Sequence, residues 1–133
     1  MSVVVAENGQ GRYQQVVSAG QHHLIADEPV SLGGADAGPA PFDFVMAGLG
    51  ACTSMTLRMY AERKGFALTH VSVSLNHDKI VVDGVTHDRI SRLISLEGEL
   101  SAEQRQRLLE IANKCPVHRL LSQSVTLECA LAT

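Results

Sequence analysis

The sequence predicts an α+β fold in a single domain that covers residues 1–133. One long apolar helix, a second block of helices near the C-terminus and several alternating apolar and polar stretches predict this class. Their order is two strands, a long helix, two strands, two helices and one strand, so strand hairpins alternate with helix blocks. With 133 residues, 45% of them hydrophobic and 19% charged, the chain has enough apolar material for one core.

The first strands and the loop after them lie ahead of the long helix. Residues 13–18 and 21–26 are predicted to form a hairpin that turns at Ala19 and Gly20. Residues 27–41, DEPVSLGGADAGPAP, contain three of the four prolines and are predicted to be a loop. Long loops that lead into a helix are often functional, so this one is a candidate wall of a site.

Residues 42–64 are predicted to form the central helix. Pro41 and Asp43 suit its N-terminus. Gly48 and Gly50 each cost about 1 kcal/mol relative to alanine inside a helix, which indicates a close approach of another backbone. Because the helix is apolar on all sides, we expect a partner chain to pack over these glycines in an obligate dimer.

The second half of the chain contains two further strands and two helices. Residues 71–77 and 90–98 alternate apolar and polar side chains and are predicted to be strands. Ser101 and Gln104 have the spacing of a capping box, which predicts a helix that runs to about Lys114. Pro116 marks a boundary and opens a short helix over 116–121.

The C-terminus is predicted to be the last strand. Val125, Leu127, Cys129 and Leu131 alternate with smaller or polar residues. This pattern predicts a strand that points Cys129 into the core.

Composition excludes several classes of function. The net charge of −3 and the absence of a Lys/Arg run disfavour nucleic acids and anionic membranes as partners. No segment resembles a signal peptide or a membrane span, so we expect a cytoplasmic protein. Three cysteines without CxxC spacing predict neither a disulfide framework nor a zinc ribbon, and the histidine spacings match no metal site. We therefore expect no metal and no cofactor.

Cys115 has the local surroundings of a stabilised thiolate. If Pro116 opens a helix, Cys115 is the N-cap residue, where the helix dipole and free N–H groups favour a negative sulfur. Lys114, His118 and Arg119 add positive charge nearby. Equally, Cys115 completes the apolar face of the preceding helix and is an inert core residue.

Cys52 lies in the middle of the central helix, without help from a helix dipole. A thiol in this position is also an ordinary core residue, since free cysteine packs as a small hydrophobe. Burial raises the pKa of a thiol, so reactivity at Cys52 requires a cation from Arg12 or from a partner chain. A cysteine hydrolase is a third interpretation, with His118 as its sole plausible base.

Three stretches of the sequence resemble a known family. They read HHLIADEP, GGADAGPAPFDFVMAGLGACTSMTLRMYAERKG and EQRQRLLEIANKCPVHR. Together they resemble the OsmC/Ohr family of osmotically inducible and organic hydroperoxide resistance proteins, in its OsmC-like branch. The resemblance implies an intertwined α+β homodimer with six-stranded sheets shared between chains and long helices packed centrally. It also implies cofactor-free thiol peroxidase chemistry.

The resemblance also implies a role for each site residue. Cys52 corresponds to the peroxidatic thiolate, which becomes a sulfenic acid, and Cys115 corresponds to the cysteine that resolves it as a disulfide. Arg12 corresponds to the arginine that activates the thiolate, and Asp43 to the acid that holds this arginine, where the family usually has glutamate. Dihydrolipoamide or a thioredoxin-like protein is the implied dithiol reductant.

We therefore expect a hydroperoxide reductase, with organic hydroperoxides preferred because the cysteines lie beside an apolar helix and a Gly/Pro-rich loop. The alternative is a non-enzymatic module that senses redox state or binds a small ligand. Local sequence indicates that Cys115 is the more acidic thiol, whereas the resemblance assigns the first attack to Cys52. If Cys115 is the more acidic thiol, it is expected to receive the reductant.

Overall fold

The structure is a computed structural model and describes residues 1–132. It has two compact units, residues 1–47 and residues from 48 onward, and the boundary between them falls within the long helix. The elements are β1 Val3–Glu7, β2 Gln15–Ala19, β3 His22–Ala26, α1 Pro41–Lys64, β4 Ala67–Val82, β5 Val85–Glu99, α2 Ala102–Ala112 and α3 Pro116–Ser122. This order confirms the α+β class. Among residues 1–132, no helix is long and apolar enough to cross a membrane.

The first unit contains an antiparallel sheet of three strands in the order β1-β2-β3. The predicted hairpin is present as β2 and β3, and Gly20 supplies the positive φ of 59° that its turn requires. Strand β1 was not predicted, because its run of three valines lacks the alternation of a half-buried strand. It pairs with β2 through Val5 opposite Val17.

The loop that follows β3 is held together by one carboxylate. Asp27 is buried, and its oxygens accept hydrogen bonds from the backbone N–H groups of Glu28, Ala35 and Ala37 at 2.8, 3.2 and 3.1 Å. At Gly34 a β-carbon would collide with the carbonyl of Glu28. The predicted loop is therefore present, with a defined conformation and a short 3-10 turn at Val30–Leu32. It also lines a cavity of about 410 Å³ within its own unit.

The core of the second unit lies between α1 and α2. Leu57 and Tyr60 of α1 pack with Leu108, Ile111 and Ala112 of α2. The hairpin of β4 and β5 is longer than predicted, and it extends from Ala67 opposite Glu99 to Val82 opposite Val85. The inward side chains that pack against the core include Val71, Ile94 and Leu96.

Helix α1 buries one face and exposes another. Leu49, Thr53 and Leu57 recur at helical spacing on the buried face. A β-carbon at Gly50 would lie 2.7 Å from Cδ1 of Leu75, so this glycine accommodates a side chain of β4 and not a partner backbone. Around Gly48 the space is open within this chain.

The open side of α1 forms an apolar stripe, which we call the outer face of α1. Its members are Gly48, Ala51, Met55 and Met59, which are exposed; Met55 and Met59 are 59% and 65% exposed. Their spacing of three, four and four residues keeps them on one side of the helix. This face is what the predicted partner chain would cover.

The predicted C-terminal strand is wrong for this chain. Residues 125–131 form no strand, and Cys129 is exposed instead of buried in the core. Leu127 and Leu131 are 87% and 96% exposed. Alternation predicts the ability to pair, but a strand also needs a neighbour with free backbone groups, and this segment pairs with none of the described strands.

The helix boundaries around Cys115 agree with the sequence pattern. Ser101 and Gln104 form both hydrogen bonds of the capping box, at 3.0 and 3.1 Å. Helix α2 ends at Ala112, two residues before the predicted end at Lys114. Helix α3 begins at Pro116 with Cys115 as its N-cap residue.

Candidate active site

Two cysteines from distant parts of the sequence lie together in the second unit. Cys52 is half-buried on α1, and Cys115 is fully buried at the N-terminus of α3. The thiol of Cys52 lies close enough to Cys115 to lower the pKa of the Cys115 thiol. The arrangement therefore brings a partly accessible thiol into contact with an inaccessible one.

The sulfur of Cys115 has two further polar contacts. The backbone N–H of His118 donates to it at 3.3 Å, as expected for an N-cap side chain. The hydroxyl of Thr53 lies 3.8 Å from it. The same hydroxyl donates to the carbonyl of Leu49 at 2.7 Å. Thr53 thus fixes a polar group of α1 beside the sulfur.

Arg92 links the elements that surround Cys115. From β5, its Nη1 donates to the hydroxyl of Thr53 at 2.9 Å and to the carbonyl of Ala112 at 3.0 Å. Its Nη2 donates to Oδ1 of Asn113 at 3.1 Å and to Nδ1 of His118 at 2.7 Å. One guanidinium group therefore connects β5 to α1, to the C-terminus of α2 and to α3.

The pKa of the Cys115 thiol lies below its ordinary value. Burial raises this pKa, but four effects together outweigh burial. They are the hydrogen bond that the backbone N–H of His118 donates to the sulfur, the nearby side chains of Cys52 and Thr53, and the positive charge of Arg92. The N-cap position was expected to favour a thiolate, and the structure agrees. The cation is Arg92, and not Lys114 or Arg119 as the sequence suggested.

The ring of His118 is oriented by Arg92. A guanidinium group has donors only, so Nδ1 of His118 accepts and the ring hydrogen is on Nε2. Among residues 1–132 the ring makes no hydrogen bond to either sulfur, and the backbone of His118 makes the contact with Cys115 instead. This geometry does not match the general base of a cysteine hydrolase.

The role of Arg92 was missed although the sequence contains a signal for it. In the strand pattern of β5, Arg92 shares the inward phase with Ile90, Ile94 and Leu96. An arginine among inward apolar residues needs buried partners for its donors. The sequence could not identify these partners, because they come from three other elements.

Arg12 and Asp43 lie in the first unit. Arg12 is in the connection between β1 and β2, and its guanidinium carbon lies 5.0 Å from the ring centre of Tyr13. Asp43 is in the first turn of α1, where its Oδ2 accepts a hydrogen bond from the backbone N–H of Ala40 at 2.9 Å. Within residues 1–132 the two side chains form no ion pair with each other.

A cavity of about 300 Å³ borders Arg92 and His118 in the second unit. Leu49, Ile90 and Leu121 supply apolar walls, and Asp88 lies at its polar side. A small molecule with an apolar body fits this combination of walls. Within the described part of the chain, no group of three or more His, Cys, Asp or Glu side chains could hold a metal ion.

A family model described as OsmC-like protein matches residues 33–130. The chain belongs to the OsmC-like protein family. The match includes both Cys52 and Cys115 and confirms the resemblance seen in the sequence motifs. None of the curated proteins has a sequence that matches this one.

Solved structures have the same OsmC-like fold. An OsmC-like protein from Mycoplasma pneumoniae matches with a TM-score of 0.75 at 17% identity, over 91% of this chain and 86% of that chain. An organic hydroperoxide resistance protein OsmC from Legionella pneumophila matches with a TM-score of 0.67 at 19% identity, over 91% and 89%. An organic hydroperoxide resistance protein from Elizabethkingia anophelis matches with a TM-score of 0.64 at 19% identity, over 90% and 87%. At these identities the likeness shows the fold alone.

Proposed function

We propose that this protein reduces organic hydroperoxides with Cys52 and Cys115 as its redox-active pair. The observation that carries the proposal is the proximity of a half-buried Cys52 to a buried Cys115 whose pKa is lowered. A contact between one accessible thiol and one stabilised thiolate suits a peroxidase that forms an internal disulfide. Neither metal nor cofactor is needed for this chemistry.

The proposed cycle begins at Cys52. Its thiolate attacks the outer oxygen of the hydroperoxide, the O–O bond breaks, and the alkoxide takes a proton and leaves as the alcohol. Cys52 is then a sulfenic acid. The thiolate of Cys115 attacks this sulfur, and the hydroxide leaves with a proton as water. A dithiol then supplies two electrons and two protons, and returns both cysteines to the reduced state.

Access supports Cys52 as the site of first attack. Cys115 has no exposed surface, so a peroxide cannot reach its sulfur in this conformation, whereas Cys52 is partly exposed. The acidity of Cys115 instead suits the second step, in which a thiolate attacks the sulfenic acid. Arg12 is the proposed cation that activates Cys52, and Asp43 its proposed acidic partner.

The proposed substrate class rests on a cavity next to the site, which is lined by Arg92 and His118 and not by the cysteines themselves. The cavity beside Arg92 and His118 has apolar walls from Leu49, Ile90 and Leu121, which favour an alkyl or aryl hydroperoxide over hydrogen peroxide. Two of the similar structures are described as organic hydroperoxide resistance proteins, and this agrees with the same substrate class.

We further propose that the protein is an intertwined homodimer with six-stranded sheets shared between the chains. The outer face of α1 exposes Met55 and Met59 beside the open Gly48, and a partner helix would bury this stripe. Cys52 is next to Ala51 of this face, so the reactive thiol would lie near the dimer interface.

The proposed reductant is a lipoyl or thioredoxin-like dithiol, and the proposed location is the cytoplasm. A reducing compartment keeps both thiols available between cycles. It also supplies the dithiols that would complete each cycle.

Steady-state turnover tests the proposal. Consumption of cumene hydroperoxide with dithiothreitol as reductant would be measured for the wild type and for Cys52→Ser, Cys115→Ser and Cys129→Ser. We expect turnover in the wild type, its loss in Cys52→Ser, a strong reduction in Cys115→Ser, and unchanged turnover in Cys129→Ser. Slow stoichiometric oxidation without cycling would overturn the proposal in favour of a redox sensor.

A further inference from the structure

We propose that the reductant attacks the sulfur of Cys52 and that Cys115 leaves as a thiolate stabilised by the His118 N–H and by Arg92. This inference rests on the proposed function, because it requires a disulfide between Cys52 and Cys115 and a thiol reductant. It assigns a direction to disulfide reduction and a positioning role to Arg92.

Access to the two sulfurs differs. The attacking thiolate must approach one sulfur along the line of the disulfide bond. Cys115 is completely buried under α1 and the start of α3, whereas Cys52 retains exposed surface. The expectation that a more acidic Cys115 would receive the reductant therefore conflicts with its burial. Cys52 is the sulfur that an external dithiol can reach.

The leaving group is determined by the surroundings of Cys115. A thiol with a lower pKa leaves faster in thiol–disulfide exchange. The N–H of His118 lies 3.3 Å from the Cys115 sulfur and would donate to the emerging negative charge. The charge of Arg92 and the hydroxyl of Thr53 further lower the pKa of Cys115. The lowered pKa of Cys115 and its burial therefore both make it the leaving group.

The reductant opens the disulfide in two exchange steps. A thiolate of the reductant forms a bond to Sγ of Cys52, and the bond between Cys52 and Cys115 breaks with its electron pair on Sγ of Cys115. The second thiol of the reductant loses its proton, attacks the first reductant sulfur and releases Cys52. The reductant becomes a disulfide after losing two electrons and two protons, which the two cysteines have gained.

Arg92 is a positioning residue in this account, since it does not contact the sulfur. It donates to Thr53, whose hydroxyl lies beside Cys115, and to His118, whose backbone N–H binds the sulfur. Its donation to the carbonyl of Ala112 holds the end of α2 immediately before Cys115. Loss of the guanidinium group removes its positive charge and also the hydrogen bonds that hold Thr53, His118 and the end of α2 in place.

The first test locates the mixed disulfide. The Cys129→Ser protein would be oxidised with diamide to the internal disulfide and treated briefly with 2-mercaptoethanol. After an acid quench and alkylation, mass spectrometry would map the adduct. We expect the mercaptoethanol on Cys52 and the alkyl group on Cys115. An adduct on Cys115, or failure of diamide to join the two cysteines, would overturn the inference.

The second test measures the role of Arg92. The rate at which dithiothreitol reduces the diamide-formed disulfide would be compared for Arg92→Gln, Arg92→Lys and the control Arg89→Gln. Arg89 is on the same strand, where it pairs with Asp78. We expect Arg92→Gln to slow reduction about tenfold because a poorer leaving group leaves more slowly. Partial rescue by Arg92→Lys and no change in Arg89→Gln are also expected.

Equal rates in Arg92→Gln and the wild type would overturn the role of Arg92. A purely structural role would slow Arg92→Lys as much as Arg92→Gln, because lysine keeps the charge but lacks the planar fork. Because diamide forms the disulfide without peroxide, these measurements do not depend on peroxidase turnover. If peroxide fails to oxidise the protein while reduction follows the expected order, the proposed function fails and this inference stands.

Discussion

The guanidinium group of Arg92 donates a hydrogen bond to the hydroxyl of Thr53 at 2.9 Å, and so joins β5 to the helix that carries Cys52. The same hydroxyl lies beside the sulfur of Cys115. This relationship connects the one inward arginine of β5 to both cysteines. It explains why the pKa of a fully buried thiol is lower than burial alone would make it.

Replacement of Thr53 by valine tests this connection. Valine keeps the shape of the side chain but removes the oxygen that Arg92 binds, so we expect the pKa of Cys115 to rise. Carbon NMR titration of the labelled cysteine Cβ atoms would measure this change. We also expect a loss of roughly 1 to 3 kcal/mol of stability, because a hydrogen bond to a charged group is removed.

Thr53→Ser is the matched control for this change, since it keeps the hydroxyl. It should leave the pKa of Cys115 close to that of the wild type. If Thr53→Val and Thr53→Ser titrate alike, the hydroxyl does not influence the thiol.

A charge introduced on the outer face of α1 is expected to weaken the proposed dimer. Met55→Glu and Met59→Glu would place a carboxylate where a partner helix is proposed to pack. We expect each to weaken the dimer by about tenfold or more, because an unpaired charge would be buried. Sedimentation equilibrium measures the dissociation constant. Leu109→Glu, at an exposed position of α2, is the control that should leave it unchanged. A monomeric wild type would contradict the proposed dimer.

Asp27 predicts a pH-dependent contribution to stability. Its backbone hydrogen bonds, above all the one from Ala37, hold the pKa of this carboxyl in the folded protein below its ordinary value of 3.8. A carboxyl whose pKa is lower in the folded protein stabilises the fold at pH values above its pKa in the unfolded chain. This stabilisation is lost as the pH falls through the pKa of the folded protein. We therefore expect Asp27→Asn to lower the Tm by several degrees at neutral pH, and the difference from the wild type to vanish in acid.

Thermal unfolding across this pH range measures the difference. Asp78 and Asp88 also have lowered pKa values, so the wild type loses stability in acid for other reasons, and only the difference between the two proteins isolates Asp27. Asp36→Asn makes the same change of charge in the same loop and should leave the Tm nearly unchanged. A constant difference at every pH would exclude the carboxylate as its source.

The parts of the fold that depend on local sequence were predicted well. The capping box of Ser101 and Gln104 and the N-cap position of Cys115 depend on residues a few positions apart, and both are present. The apolar stretch and the N-terminal Pro41 and Asp43 that predicted α1 are likewise local.

The features that were missed depend on partners distant in sequence. Arg92 acquires its role from Thr53, Ala112 and His118, which no short window contains. The C-terminal pattern predicts a strand, but residues 125–131 pair with none of the described strands. The contact of Cys52 with Cys115 came from the family resemblance, because spacing alone cannot bring two distant thiols together.

The most direct test of the account is the oxidation of the reduced protein by one equivalent of cumene hydroperoxide, with mass spectrometry to map each cysteine. We expect rapid formation of a disulfide between Cys52 and Cys115, with Cys129 still reduced. In Cys115→Ser we expect a sulfenic acid on Cys52 that dimedone traps. If Cys52 and Cys115 both remain reduced, or oxidise only over hours, the proposed peroxidase activity is contradicted.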